Sequence, residues 1–204
     1  MFDRPIQKII QYPLKLIARY LLKYTKPDHI TFVGFIFGIL MCACIYLQFF
    51  KIALVFLILN RISDGVDGAM ARLTSPSPRG GYLDIVADFI IYAGFVLSYG
   101  LSSPDKLIVS ALLLFSFIGT GTTFLARAAI QHQIHQYSHS NNQENEINKS
   151  FQYASGLIEG TETIIFMILC LILPSYFNFI GLAFFILCII TIVSRIYVCY
   201  KELN

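Results

Sequence analysis

Six apolar stretches, each close to the length needed to cross a bilayer, leave this chain few folds to adopt. They run from about Ile30 to Phe50, Ile52 to Leu73, Gly81 to Gly100, Lys106 to Ile130, Ser155 to Leu173 and Phe177 to Tyr200. A segment in hydrocarbon must satisfy its own backbone hydrogen bonds, so such stretches are expected to be helices of about 20 residues. The reading is all-α: an integral membrane bundle of six transmembrane helices forming a single domain over residues 25–204. Composition agrees, because 56% of the 204 residues are hydrophobic and only 13% are charged. Thr25-Lys26-Pro27-Asp28-His29 breaks the chain before the first stretch, Ser102-Ser103-Pro104-Asp105 before the fourth, and Pro174-Ser175 before the sixth. Gly34-x3-Gly38 in the first stretch, and Gly119 and Gly121 in the fourth, mark places where helices approach closely.

The segments outside these stretches are polar or basic. In residues 1–24, Arg4, Lys8, Gln11, Lys15, Arg19 and Lys23 recur at helical spacing. Ile6, Ile9, Ile10, Leu14, Ile17 and Leu21 supply an apolar side. An amphipathic helix lying on an anionic membrane surface is expected there, kinked at Pro13. The segment lacks the uninterrupted apolar core of a signal peptide. Residues 131–152 are rich in Gln, Asn, Ser and His, and read as a polar loop or as an extension of the fourth helix that then breaks. His132, His135 and His139 have a spacing that a metal can use, but a solvated polar segment is the preferred reading. Cys42, Cys44, Cys170, Cys188 and Cys199 show no CxxC pattern and read as small packing residues.

Against the apolar background stand four carboxylates: Asp64, Asp67, Asp84 and Asp88. An ionised group at the centre of a membrane helix costs about 2.5–3.5 kcal/mol even on lenient scales. Four of one sign also repel each other, and a cation is the usual way to hold them together. Ligands that are all oxygen suit Mg²⁺, Mn²⁺ or Ca²⁺. In a helix Asp64, Asp67, Gly68 and Ala71 fall at i, i+3, i+4 and i+7, on one face. Asp84 and Asp88 share a face of the next helix. Thr74-Ser75-Pro76-Ser77-Pro78 turns the chain back between them, which brings both acid pairs to one depth. Gly65, Gly68 and Ala71 are small enough to let a bulky ligand approach the backbone, and Arg72 stands where it can meet a phosphate. The ligand implied is a phosphoanhydride bound through metal.

These residues resemble the signature of the CDP-alcohol phosphotransferases, D-x2-D-G-x2-A-R-x8-G-x3-D-x3-D. Asp64, Asp67, Gly68, Ala71, Arg72, Gly80, Asp84 and Asp88 match it, with seven rather than eight residues between Arg72 and Gly80. The resemblance implies a membrane enzyme of phospholipid synthesis. Such an enzyme passes the phosphoryl-alcohol part of a CDP-linked lipid, CDP-diacylglycerol being the expected donor, to the hydroxyl of a small polar alcohol, and releases CMP. It implies two divalent ions, Mg²⁺ or Mn²⁺, on Asp64, Asp67 and Asp84, with Asp88 touching the second ion and acting as general base. It assigns Gly68, Ala71, Arg72 and Gly80 to the cytidine diphosphate. Pro27 and Thr31 resemble the Pro-Asn-x-x-Thr pattern that opens the first span in this family, which gives Thr31 a nucleotide role; Asp28 stands in place of the Asn. A homodimer is implied by resemblance alone, and no nucleic-acid partner is expected.

Further charges fall at a similar depth: Arg61, Arg127, Glu159, Glu162 and Arg195. Arg61 and Arg195 read first as structural partners of nearby acids. An acceptor carrying a phosphate needs a cationic pocket, which Arg127 can supply; one carrying an ammonium group needs a carboxylate such as Glu162. Glycerol 3-phosphate is the first expectation. Lys and Arg crowd the side that carries both termini, leaving Lys51 and Lys106 opposite, so the termini and the acid motif are expected at the cytoplasmic face. The rival reading is a divalent-cation transporter or channel with an acidic intramembrane site. It leaves Gly68, Ala71 and Arg72 without a role.

Overall fold

A computed structural model describes residues 13–141 and 158–202. Every regular element among them is helical: α1 (residues 13–21), α2 (Pro27–Tyr46), α3 (Phe50–Leu73), α4 (Pro78–Ser102), α5 (Leu107–Asn141), α6 (Gly160–Ile172) and α7 (Phe177–Glu202), with single 3₁₀ turns at Pro104–Lys106 and Pro174–Tyr176. Four of them, α2, α4, α5 and α7, are long and apolar enough to cross a membrane.

The six expected spans therefore divide into four apolar helices and two that differ, for separate reasons. At 24 residues α3 is long enough, about 36 Å at 1.5 Å per residue. It carries Arg61, Asp64, Asp67 and Arg72, which lower its apolarity. α6 is apolar but has 13 residues, about 20 Å against a hydrocarbon core of about 30 Å. It begins at Gly160 because Glu159 and Glu162 close a capping box over its first turn. The expected start at Ser155 lies outside the described residues.

Helix starts follow local chemistry. Pro27 opens α2 and Pro78 opens α4, each in the first turn, where no backbone donor is needed. The Ser77 hydroxyl caps α4 by accepting the Gly80 N–H at 3.0 Å. α4 thus starts three residues before the expected Gly81, because Ser-Pro is a cap and first turn as well as a loop signal. α5 runs on to Asn141, so the extension reading holds for the first part of the polar segment. The surroundings of His132, His135 and His139 lie outside the described residues, as do residues 1–12.

α2 and α3 lie together, with α4 packed on α2, α5 between α4 and α7, and α6 against α3. α2 approaches α3 at Gly34, where a Cβ would sit 2.9 Å from that of Ser63. The core gathers Met41, Ile45, Leu57, Ile91, Phe95, Tyr99, Leu113, Phe166, Met167, Phe177 and Phe184. Tyr99 stacks on Phe177 at 4.2 Å and Phe166 on Phe184 at 4.2 Å. The Tyr99 hydroxyl donates to the Cys170 carbonyl at 2.7 Å, so its polar end is satisfied inside the apolar core. The five cysteines are free thiols, with Cys170 and Cys188 buried.

α1 has its own small core. Ala18 is fully buried against Val66, Ala69 and Met70 of α3, flanked by Leu14 and Leu21. Gly65 makes room for it, since a Cβ there would lie 2.8 Å from the Leu14 Cδ1. The other side exposes Leu16, Ile17 and Tyr20.

Candidate active site

The acid motif folds into one cleft between α2, α3 and α4. Thr31 and Gly34 line it from α2, Asn60, Arg61, Asp64 and Asp67 from α3, and Asp84, Asp88 and Ile91 from α4. Asp64, Asp67 and Asp84 each turn a carboxylate oxygen inward, and these oxygens lie within 4.8 Å of one another. Asp67 is buried, with 5% of its surface exposed. Three convergent oxygens, with no sulfur or imidazole among the described residues lining the cleft, fit a hard divalent cation. The motif spacing put these three together, and the turn at 74–77 delivers Asp84 as expected.

Asp88 is placed differently. It lies one turn beyond Asp84 yet stands outside the three-acid group. Arg61 Nη2 contacts its Oδ1 at 2.7 Å, and the Tyr92 hydroxyl donates to its Oδ2 at 3.0 Å. Arg61 Nη1 also reaches the Tyr92 oxygen at 3.2 Å and Asp64 Oδ2 at 3.5 Å. Arg61 Nε donates to Asn60 Oδ1 at 2.8 Å, and Asn60 Nδ2 donates to the Gly34 carbonyl at 2.8 Å. The expected structural pairing of Arg61 is thus present. Sequence reasoning missed Asn60 and Tyr92. Tyr92 carried a signal, being i+4 from Asp88 on the same helix face; Asn60 is a lone amide in an apolar run.

The nucleotide candidates divide. The Thr31 hydroxyl donates to Asp67 Oδ2 at 2.5 Å and reaches back to the Pro27 carbonyl at 3.3 Å. It orients a motif acid in this structure. Arg72 lies across Gly68, whose Cβ would stand 3.3 Å from Nη1. Gly65, read as ligand space beside Gly68 and Ala71, is instead filled by Leu14. Gly80 contributes its N–H to the Ser77 cap, and Asp28 pairs at 3.9 Å with an exposed Arg79.

The acceptor candidates lie elsewhere. Glu162 accepts the Glu159 N–H at 3.1 Å as part of the capping box. Arg195, from α7, donates to the Thr120 carbonyl at 3.0 Å and the Ile158 carbonyl at 3.3 Å, and its guanidinium lies 5.9 Å from the Phe124 ring centre. Arg127 is on α5, two turns beyond Thr120. Neither Arg127 nor Glu162 lines the acid cleft.

Comparison with known proteins decides what kind of cleft this is. Residues 24–197 match the family model for CDP-alcohol phosphatidyltransferase. The chain belongs to the CDP-alcohol phosphatidyltransferase family. It is 39% identical to the inner membrane protein YnjF of Escherichia coli K12, over the whole of this chain and 98% of that protein. It is 27% identical to an archaetidylinositol phosphate synthase of Pyrococcus horikoshii, over 98% of this chain and 97% of the relative. The match takes in all eight signature positions, so the resemblance drawn from the motif holds for nearly the whole length. As a CDP-alcohol phosphatidyltransferase the chain is a phosphotransferase of phospholipid biosynthesis, and its apolar helices make it an integral membrane protein. The family uses CDP-linked lipid donors and alcohol acceptors and is generally metal-dependent, which suits the acidic cluster.

Proposed function

We propose that the chain transfers a phosphatidyl group from CDP-diacylglycerol to the hydroxyl of a phosphate-bearing polyol, releasing CMP. The convergence of Asp64, Asp67 and Asp84, with Asp88 held separately beside them, carries this reading. The three would hold Mg²⁺ or Mn²⁺, two ions being the count that the family resemblance implies, with Asp88 touching the second. When bound, the metal neutralises the pyrophosphate and stabilises the departing CMP. Asp88 takes the acceptor's proton while the acceptor oxygen bonds to the phosphorus of the phosphatidyl group. The bond from that phosphorus to the bridging oxygen breaks, and the oxygen leaves with CMP. A carboxylate is a weak base for an alcohol, so the proton moves late, once the P–O bond has largely formed.

Gly68, Ala71, Arg72 and Gly80 are assigned to the cytidine diphosphate. Thr31 is assigned to the same end of the site through its bond to Asp67. The acceptor is proposed to be glycerol 3-phosphate or an inositol phosphate. The second is prompted by the name of the archaeal relative, and both carry a phosphate and a free hydroxyl. Arg127 is proposed as the phosphate's partner; Glu162, at the start of α6, is the contact for an acceptor that carries an ammonium group instead. Arg127→Ala is then expected to raise the acceptor KM about tenfold, the loss of a charge-assisted bond, and to leave the CDP-lipid KM nearly unchanged. An unchanged acceptor KM removes Arg127 from the pocket.

In the membrane we propose six crossings forming one catalytic domain over residues 25–204, with both termini and the acids at the cytoplasmic face. Residues 1–24 would lie along the surface, and a homodimer is proposed on resemblance alone. The transporter reading has no support beyond the acids themselves.

The deciding experiment measures CMP release by the purified protein with CDP-diacylglycerol and Mg²⁺ or Mn²⁺, adding one acceptor at a time. CMP appearing with one acceptor, and vanishing with EDTA and in Asp88→Asn, establishes the reaction and names the substrate. No CMP with either phosphorylated polyol, despite metal-dependent CDP-lipid binding, overturns the acceptor class.

A further inference from the structure

We propose that α1 is a sensor of anionic lipid. Acidic headgroups bound along Lys15, Arg19 and Lys23 hold α1 against the back of the motif helix and so raise turnover in the cleft; the turnover readout rests on the transferase reading above. α1 has three sides. Leu14, Ala18, Leu21 and Leu22 face inward, where Ala18 is fully buried against Val66, Ala69 and Met70 of α3. Lys15, Arg19 and Lys23 recur every fourth residue, an advance of about 40° at each step, and form an exposed basic stripe. Leu16, Tyr20 and Tyr24 repeat one residue later and, with Ile17, expose an apolar third side. The helical turn carries through to Tyr24, since the Leu22 N–H reaches the Ala18 carbonyl and the Tyr24 N–H the Leu21 carbonyl, each at 2.9 Å. The Tyr20 and Tyr24 rings stand 5.4 Å apart, centre to centre. None of the three cations pairs with an acid among the described residues. A basic stripe beside exposed aliphatic and tyrosine side chains matches the boundary between acidic headgroups and acyl chains. A soluble anion would match the cations and leave the third side in water.

The buried side of α1 meets α3 directly behind the acids. Asp64, Asp67, Gly68 and Ala71 share one face of α3, and Gly65, Val66, Ala69 and Met70 share the opposite one. Leu14 fills the space over Gly65, where a Cβ would lie 2.8 Å from its Cδ1. Val66, Ala69 and Met70 are at most 3% exposed. Their cluster is separate from the main core, so α1 seals the back of this stretch, with Leu22 and Ile30 at its edge. A small satellite core is a contact that a second attachment can strengthen. Lipid that binds docked α1 better than loose α1 shifts the population toward the docked form. Undocking uncovers Val66, Ala69 and Met70 and frees the turn that carries Asp64 and Asp67 to shift.

The test places the full chain in nanodiscs of phosphatidylcholine alone and of phosphatidylcholine with about 30% phosphatidylserine, which gives the surface a negative potential. CMP release reports turnover, and amide hydrogen exchange over residues 14–24 and 64–71 reports docking. With the acidic lipid, wild type is expected to gain about tenfold in kcat and to exchange more slowly in both segments. The triple variant Lys15→Gln, Arg19→Gln, Lys23→Gln alters exposed residues alone and is expected to lose both gains. Gly65→Val keeps the stripe and breaks the dock, so acidic lipid is expected to change neither its kcat nor its exchange over 64–71; where it does not fold, the triple variant carries the test. A gain in kcat that survives in either variant comes from lipid charge acting on metal or acceptor directly, and overturns the proposal. Equal exchange of wild type in the two membranes also overturns it. If no acceptor supports CMP release in either membrane, the transferase reading fails by itself, and the exchange of wild type against the triple variant decides whether α1 senses lipid.

Discussion

Thr31 has a partner that its place in the sequence does not announce. Its place in the sequence suggests nucleotide contact, and in the structure its hydroxyl donates to Asp67 at 2.5 Å. A hydrogen bond to a metal-ligating carboxylate fixes its orientation, and losing such a partner typically costs about 10–100-fold in metal affinity. Thr31→Val preserves shape and removes the donor. It is expected to weaken Mn²⁺ binding about tenfold, with CDP binding following only as far as it depends on metal. A loss of CDP affinity with Mn²⁺ affinity intact returns Thr31 to the nucleotide. At this scale the acids were legible, because helical periodicity alone aligns Asp64 with Asp67 and Asp84 with Asp88. Their partners were not. Thr31 meets Asp67, and Arg61 meets Asp88, only after α2 and α4 have packed on α3, and no spacing within one helix encodes that.

Among the elements, α1 departs furthest from expectation. Its basic and apolar spacing predicts an amphipathic helix lying on an anionic membrane surface. In the structure Leu14, Ala18 and Leu21 pack on Val66, Ala69 and Met70, so α3 takes up Leu14 and Leu21 of that apolar side while Ile17 stays exposed. Gly65 was taken for ligand space because it lies beside the motif glycine, and a glycine does not reveal which neighbour fills its vacancy. Gly65→Val is expected to push Leu14 away and loosen α1. Faster trypsin cleavage at Lys15, Arg19 and Lys23 is the measurement; an unchanged rate means that α1 is held by other contacts. The helix starts tell a milder story. Ser77-Pro78 and Glu159-x2-Glu162 both carry capping chemistry, but Ser-Pro also signals a turn, and Glu is a rarer cap than Ser or Asp.

For the whole molecule, an apolar count recovers four crossing helices and leaves α3 and α6 in question. The charges that make α3 look unlike a span are the ones that build the site, so function itself obscured the fold signal. The proposed orientation can be checked in a chain stripped of its five native cysteines. Ser77→Cys at the acid end should react with an impermeant thiol reagent from the cytoplasmic side, and Ser103→Cys from the opposite side. The reverse pattern inverts the topology. Beneath the acids, Ile91, Phe95 and Tyr99 step down α4 into the stacked rings of Phe177, Phe166 and Phe184. An ion resting on the carboxylates would meet packed rings, not carboxylates or water-seeking side chains, in that part of the floor, which suits a cation-binding enzyme set in an energised membrane that must not be short-circuited.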